Sequence, residues 1–182
     1  NKQGIVGLVM IICIVLLGIF ASVISPFDPE MTNAADARMA PCLAHLFGTD
    51  ETGMDIFSRC IWAIRIDVVI GVFGTLISLM IGIPFGLFAG YYEGIIGEVI
   101  LRIADLIQAF PAFILAMALV SALGNSTQNI LMVVAFVNVP IYTRFVRGEV
   151  LAMKSRPFIE AGHTAGMSPT RIMFQELLPN SL

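Results

Sequence analysis

With 182 residues, 58% of them hydrophobic and only 13% charged, and a mean hydropathy of +0.91, the chain is too apolar for a soluble domain, in which about a quarter of residues are charged. The net charge is −3 and the ten Lys and Arg residues form no basic block, which points away from nucleic acid. Cys13, Cys42 and Cys60 have no CxxC spacing and His45 and His163 stand at no zinc-site spacing, so neither a structural metal nor a cofactor is expected.

The composition is that of an integral membrane protein, and the length suits one domain. Residues 3–27 carry no charge, which exceeds the roughly 20 residues needed to cross hydrocarbon. A retained anchor over about 4–25 explains this run better than a cleaved signal peptide, whose apolar region is shorter. Ser25-Pro26-Phe27-Asp28-Pro29 ends the helix, because two prolines and an Asp do not continue it. The segment 26–61 holds six acids and two arginines and reads as an external loop, with Asp55 placed to cap the helix that follows. Cys42 and Cys60 could pair there in an oxidising compartment, although free thiols are the simpler expectation.

A second uncharged run, 68–92, predicts a span over 64–91. Gly82 and Gly86 in it have GxxxG spacing, which lets helices approach closely, and Tyr91 and Tyr92 suit a membrane interface. Residues 106–143 are uncharged for too long for one crossing and too short for two. The cluster Gly124 to Asn129 divides them, so spans are expected at 96–122 and 129–149, with Pro111 and Pro140 as kinks or interruptions. This places Arg102 and Asp105 in or beside a span, three apart on one helical face, as a pair of translocation or of structural significance. The polar stretch after residue 143 holds five Lys and Arg, against two in the loop 26–61, so it is expected inside and the loop outside.

The stretch 150–180 reads as a helical hairpin. Ser155 and Pro157 can start a helix. Gly166 suits a reversal through positive φ. Ser168-Pro169 restarts the chain, and Met173, Phe174, Leu177 and Leu178 line one face until Pro179 closes it. A hairpin this short needs a surface to pack on. Pattern leaves two options open, docking to a partner or lying on membrane lipid.

At these residues the sequence resembles the permease subunits of ABC importers, in particular the dipeptide, oligopeptide and nickel group of type I importers. Glu160-Ala161-Gly162, Gly166 and Leu178-Pro179 resemble their cytoplasmic coupling loop. Phe47-Gly48-Thr49-Asp50 with Gly53, Asp55 and Phe57-Ser58-Arg59 is similar to the segment before their second span. Ala89 to Tyr92, Arg102, Asp105, Ala109-Phe110-Pro111, Arg147-Gly148 and Pro179-Asn180 follow in the family's order. Gly162 departs from the family's second alanine, Met54 from a frequent Arg, Asp67 from a small polar residue, and Gln175-Glu176 from Arg-His.

The resemblance implies an all-α polytopic bundle of the type I importer permease kind. It also implies a coupling surface at Glu160, Ala161, Gly162, Gly166, Ser168, Ile172, Leu178 and Pro179. The implied partners are a second permease subunit, two ATPase subunits and an external solute-binding protein, beside membrane lipid. No catalytic residue is implied, since neither Lys2 nor Lys154 follows a phosphate-cradling glycine pattern and ATP hydrolysis falls to a partner. A peptide is the expected cargo and nickel the alternative. The family has six spans where four are expected here, so a nonfunctional or structural remnant of a truncated permease is the rival reading. A membrane-embedded enzyme is disfavoured, because no His lies near an acid in the spans.

Overall fold

The computed structural model describes residues 2–92 and 94–181. Among them the regular elements are α1 (Lys2–Ile19), α2 (Ala21–Ile24), α3 (Ile56–Tyr91), α4 (Ile95–Gln108), α5 (Ala112–Leu123), α6 (Thr127–Met153), α7 (Pro157–Thr164), α8 (Pro169–Arg171) and α9 (Leu178–Ser181). A 3-10 turn, Ala34–Asp36, lies between α2 and α3, and a π-helical turn, Ile172–Leu177, joins the last two helices. No strand forms among the described residues beyond an isolated bridge between Thr49 and Asp55. The fold is an all-α bundle in which α1, α3 and α6 are each long and apolar enough to cross a membrane. The chain divides into two compact units, residues 1–71 and 72–182.

In the first unit the expected anchor is α1 plus the short α2, separated at Phe20. The 26–59 segment is a polar knot. Phe27 N–H donates to Ser58 Oγ at 3.2 Å, and the Phe27 ring stacks on His45 at 4.7 Å. His45 Nδ1 lies 2.9 Å from Asp55 Oδ1, while Asp55 Oδ2 accepts from Ser58 N–H at 2.7 Å and so caps α3. Gly53 has φ 79°, and a Cβ there would run into the carbonyl of Asn33. Thr49, Asp50, Asp55, Ser58 and Arg59 are thus tied into one knot. Cys13, Cys42 and Cys60 are free and exposed, so Cys42 and Cys60 do not pair.

In the second unit α6 lies parallel to the later part of α3. Gly74 faces Leu131 and Val134, Gly82 faces Val139 and Tyr142, and Gly90 faces Arg147 and Val150. The approach is close: a Cβ on Gly86 would sit 2.7 Å from Thr143 O and from Val146 Cβ. Ser78 occupies the same small-residue face, and its hydroxyl donates to Ala135 O at 2.9 Å. Two parallel neighbours require the intervening chain to travel back, and α4 with α5 does so. That return is bent by 81°, because Ala109–Pro111 interrupts it. The 96–122 run is thus two helices rather than one. Pro140, in contrast, sits buried inside an unbroken α6.

Candidate functional site

The C-terminal hairpin starts one residue later than its sequence suggests. Arg156, not Ser155, occupies the N-cap position without a side-chain bond, because Pro157 takes the first helical position and pushes its predecessor into extended backbone. α7 then closes in a Schellman motif. Met167 N–H reaches Gly162 O at 3.0 Å and Gly166 N–H reaches His163 O at 3.0 Å, with Gly166 at φ 76°. Ser168 caps the return helix by accepting from Arg171 N–H at 3.4 Å. Pro179 does not close that helix but lies inside α9. A proline cannot donate to the carbonyl four residues back and crowds it, and the wide π turn Ile172–Leu177 stands where that crowding would fall.

One side of the hairpin is anchored on its own chain. Ile159, Ile172, Met173 and Leu177 are fully buried against Leu87 of α3 and Val146, Val150 and Met153 of α6. A ring contact adds to this, with His163 stacked on Tyr91 at 6.1 Å. Lys154 Nζ donates to Tyr91 O at 2.8 Å and lies 5.7 Å from the centre of the Tyr91 ring. This Tyr91, Lys154 and His163 cluster was not signalled by spacing, since its members come from three different helices or their ends.

The eight predicted coupling residues consequently fall into two sets. Gly162 and Ile172 are buried and Leu178 is half-buried, so they anchor the hairpin. Glu160, Ala161, Gly166, Ser168 and Pro179 are exposed, together with Arg171, whose Nε donates to Gln175 Oε1 at 2.7 Å. The departure at Gln175 therefore supplies an acceptor that orients a neighbouring cation. The departure at Gly162 leaves room for Met167, whose sulfur would lie 3.3 Å from an added Cβ.

Arg102 and Asp105 do not pair with each other. Arg102 contacts Glu98 at 3.3 Å, one turn back on α4, while Asp105 accepts from Arg144 of α6, which also donates to Gln108 Oε1. Three-residue spacing put the two on one face, and each found a partner nearer to its reach. Arg144 was missed because a cross-helix partner leaves no local signal. Outside the apolar helices, the knot perturbs two carboxylates. The Thr52 hydroxyl, with the Met54 and Thr52 N–H groups and Arg59, holds Asp50 below the usual carboxylate range. Burial pushes Asp55 up, and hydrogen bonds from Ser58 and His45 more than offset it, leaving Asp55 below that range as well.

The sequence matches known transport proteins along most of its length. Residues 82–182 match the family described as binding-protein-dependent transport system inner membrane component, and residues 1–41 match the N-terminal TM domain of oligopeptide transport permease C. The dipeptide transport system permease protein DppC of Alkalihalophilus pseudofirmus is 42% identical over all of this chain and 60% of its own length. The glutathione transport system permease protein GsiD of Pectobacterium atrosepticum is 36% identical over 94% of this chain and 58% of its own. For the oligopeptide transport system permease protein OppC of Bacillus subtilis the figures are 34%, 100% and 60%. The chain thus spans about 60% of the length of these relatives. The family is one of transport permeases, not enzymes, working in multi-subunit, binding-protein-dependent systems at the inner membrane. This all-α, multi-helix chain belongs to the family of binding-protein-dependent transport system inner membrane components.

Proposed function

We propose that the chain forms part of the translocation path of an ABC importer for peptides or a related small solute, and that residues 150–180 couple it to ATPase subunits. The observation that carries this reading is the two-sidedness of the hairpin. Ile159, Ile172, Met173 and Leu177 are fully buried on α3 and α6, whereas Phe174, expected on the same face, is exposed, and the other side presents Glu160, Ala161, Gly166 and Ser168 unobstructed. An element fixed to two long helices and free on its far face passes a rigid-body displacement of its partner on to those helices. ATP is hydrolysed in the partner, two copies of which act with a second permease subunit and an external solute-binding protein. That these relatives are named as dipeptide, oligopeptide and glutathione transport permeases supports a peptide-like cargo.

In the membrane, α1, α3, the bent α4–α5 pair and α6 make four crossings. The 26–61 loop lies outside and the hairpin lies in the cytoplasm, as the distribution of Lys and Arg indicates. The test is transport and ATPase activity of the full-length importer carrying Glu160→Lys. The charge reversal lies on an exposed residue outside the buried anchor, so insertion should be unchanged. Solute-stimulated ATP hydrolysis should separate from uptake, with uptake falling at least about ten-fold, the equivalent of ~1.4 kcal/mol of lost coupling. Uptake at the original rate would remove the docking role.

A further inference from the structure

α4 has three distinct sides. Gly97 and Ala104 are buried, Val99, Ile103 and Leu106 form an exposed apolar strip, and Glu98, Arg102 and Asp105 follow one another at spacings of four and three between those two sides. This third side is a ladder of opposite charges: Glu98 with Arg102 at 3.3 Å, then Asp105 with Arg144. Every charge has a partner, yet the four side chains remain 43–73% exposed. The ladder is satisfied but uncovered.

Its depth follows from the parallel packing of α3 and α6. Thr143, next to Arg144, faces Gly86, which lies within the uncharged stretch 68–92. Gly97, next to Glu98, faces Ala89 and Tyr92, so the ladder runs inward from the Tyr91–Tyr92 interface to Asp105 and Arg144. At its inner end a carboxylate too short to reach the headgroups faces a bundle interior or a water-filled cavity, not lipid. A second, independent feature points the same way. One turn beyond Asp105, α4 ends and the backbone breaks at Ala109–Pro111 before α5 leaves at 81°. Irregular backbone at membrane depth is tolerated where it is buried in protein or borders water. Arg144 holds this end of α4 from two sides, through Asp105 and Gln108.

Resting on the permease reading above, we propose that the Glu98, Arg102, Asp105 and Arg144 ladder lines the aqueous translocation path, with the Asp105–Arg144 pair acting as a latch between α6 and the broken return helix. Both signs of charge face the path in balance, so a polar solute meets no net barrier of one sign. The pair is positioned to yield when α4 and α6 shift against each other.

The test uses the full-length importer in lipid nanodiscs, with Cys13, Cys42 and Cys60 replaced by Ser, carrying Arg102→Cys, Gln108→Cys or Leu106→Cys singly. The probe is a charged, membrane-impermeant methanethiosulfonate, which reacts with a thiolate in water. Cysteines at 102 and 108 should react at least about ten-fold faster than the one at 106, because thiolates form poorly in apolar surroundings. Their rates should also differ between nucleotide-free and ATP-trapped complex. Equally slow reaction at all three positions, in complexes that retain solute-stimulated ATPase activity, would show the ladder to be sealed by protein and overturn the inference alone. Absence of that ATPase activity in the unsubstituted full-length importer would overturn the permease reading and this inference with it. For the latch, Asp105→Arg and Arg144→Asp should each lower uptake by about ten-fold or more, and the two together should recover most of it by restoring the opposite-charge pair. No recovery by the double exchange would leave the residues in the path but remove the latch.

Discussion

The 26–59 segment and the C-terminal hairpin are both short, irregular stretches that must be held in place beside long helices, and they are held by opposite means. The 26–59 segment is tied by polar groups. Asp55 joins His45 to the start of α3, Asp50 gathers Thr52, Met54 and Arg59, and Phe27 N–H reaches Ser58 Oγ. The hairpin is held by Ile159, Ile172, Met173 and Leu177, none of them titratable. Polar ties fix geometry through direction and fail when a proton or a single partner changes. Apolar burial has no direction and leaves the polar groups of the hairpin free to face outward. The first suits a rigid fixture; the second suits an element whose outer face must be available.

The largest effect should come from the apolar anchor. Ile172→Ala empties a fully buried position, which costs about 2–5 kcal/mol in a packed core. In the full-length protein, hydrogen exchange of residues 157–180 should speed up strongly while residues 26–59 keep their protection. Unchanged exchange in the hairpin would mean that something other than this cluster holds it.

Next comes Asp55→Asn, which leaves His45 and the Ser58 N–H group with a weaker acceptor inside a nearly sealed site and should cost about 1–3 kcal/mol locally. The parent protein should show the same weakness through pH. Asp50 and Asp55 both have lowered values when folded. Their contribution is therefore complete above the unfolded carboxylate value of about 4 and is lost as pH falls through the folded value. Exchange in 26–59 should accelerate on acidification below about pH 4, with the Asp55→Asn protein responding less steeply. The buried anchor of the hairpin should not follow. If both regions loosened together, the division between polar and apolar attachment would not hold.

The contrast also explains what could be read from sequence. Local chemistry was legible: Gly166 at a reversal, Ser168 as a cap, Asp55 as a cap, the small-residue face at Gly82 and Gly86, and an interruption at Pro111. Each of these is set by the residue and its immediate neighbours. Partners distant in sequence were not legible. His45 with Asp55, Arg144 with Asp105 and Tyr91 with His163 depend on where separate segments meet. The eight residues expected to couple lie close together in sequence, but their division into buried and exposed positions required the packing of Ile172 and Gly162 on the inner side. Pro179 misled because the π turn before it allows the helix to continue.

His163→Ala is a smaller probe. It removes the stack on Tyr91 without touching the buried cluster, and such ring contacts contribute about 0.5–1.5 kcal/mol beyond burial. At an exposed ring the lower end is expected, so α7 should exchange slightly faster while residues 169–181 stay as they are.

The smallest and most discriminating change is Gly162→Ala. Within α7, alanine is favoured over glycine by about 1 kcal/mol through backbone entropy. Against that, the new Cβ would stand 3.3 Å from Met167 Sδ, with the nearest atoms of Ile172 no closer than 3.8 Å. Methionine is unbranched and readily moves its sulfur by a few tenths of an ångström, so the propensity gain should survive in part, as about 0.5 kcal/mol of added protection in α7. Gly53→Ala in the 26–59 segment presents the same chemical change to a backbone carbonyl at positive φ, where nothing flexible can yield, and should destabilise strongly. If Gly162→Ala destabilised the hairpin by more than about 1 kcal/mol, its anchor would be a rigid fixture like the knot, and the difference in kind between the two attachments would disappear.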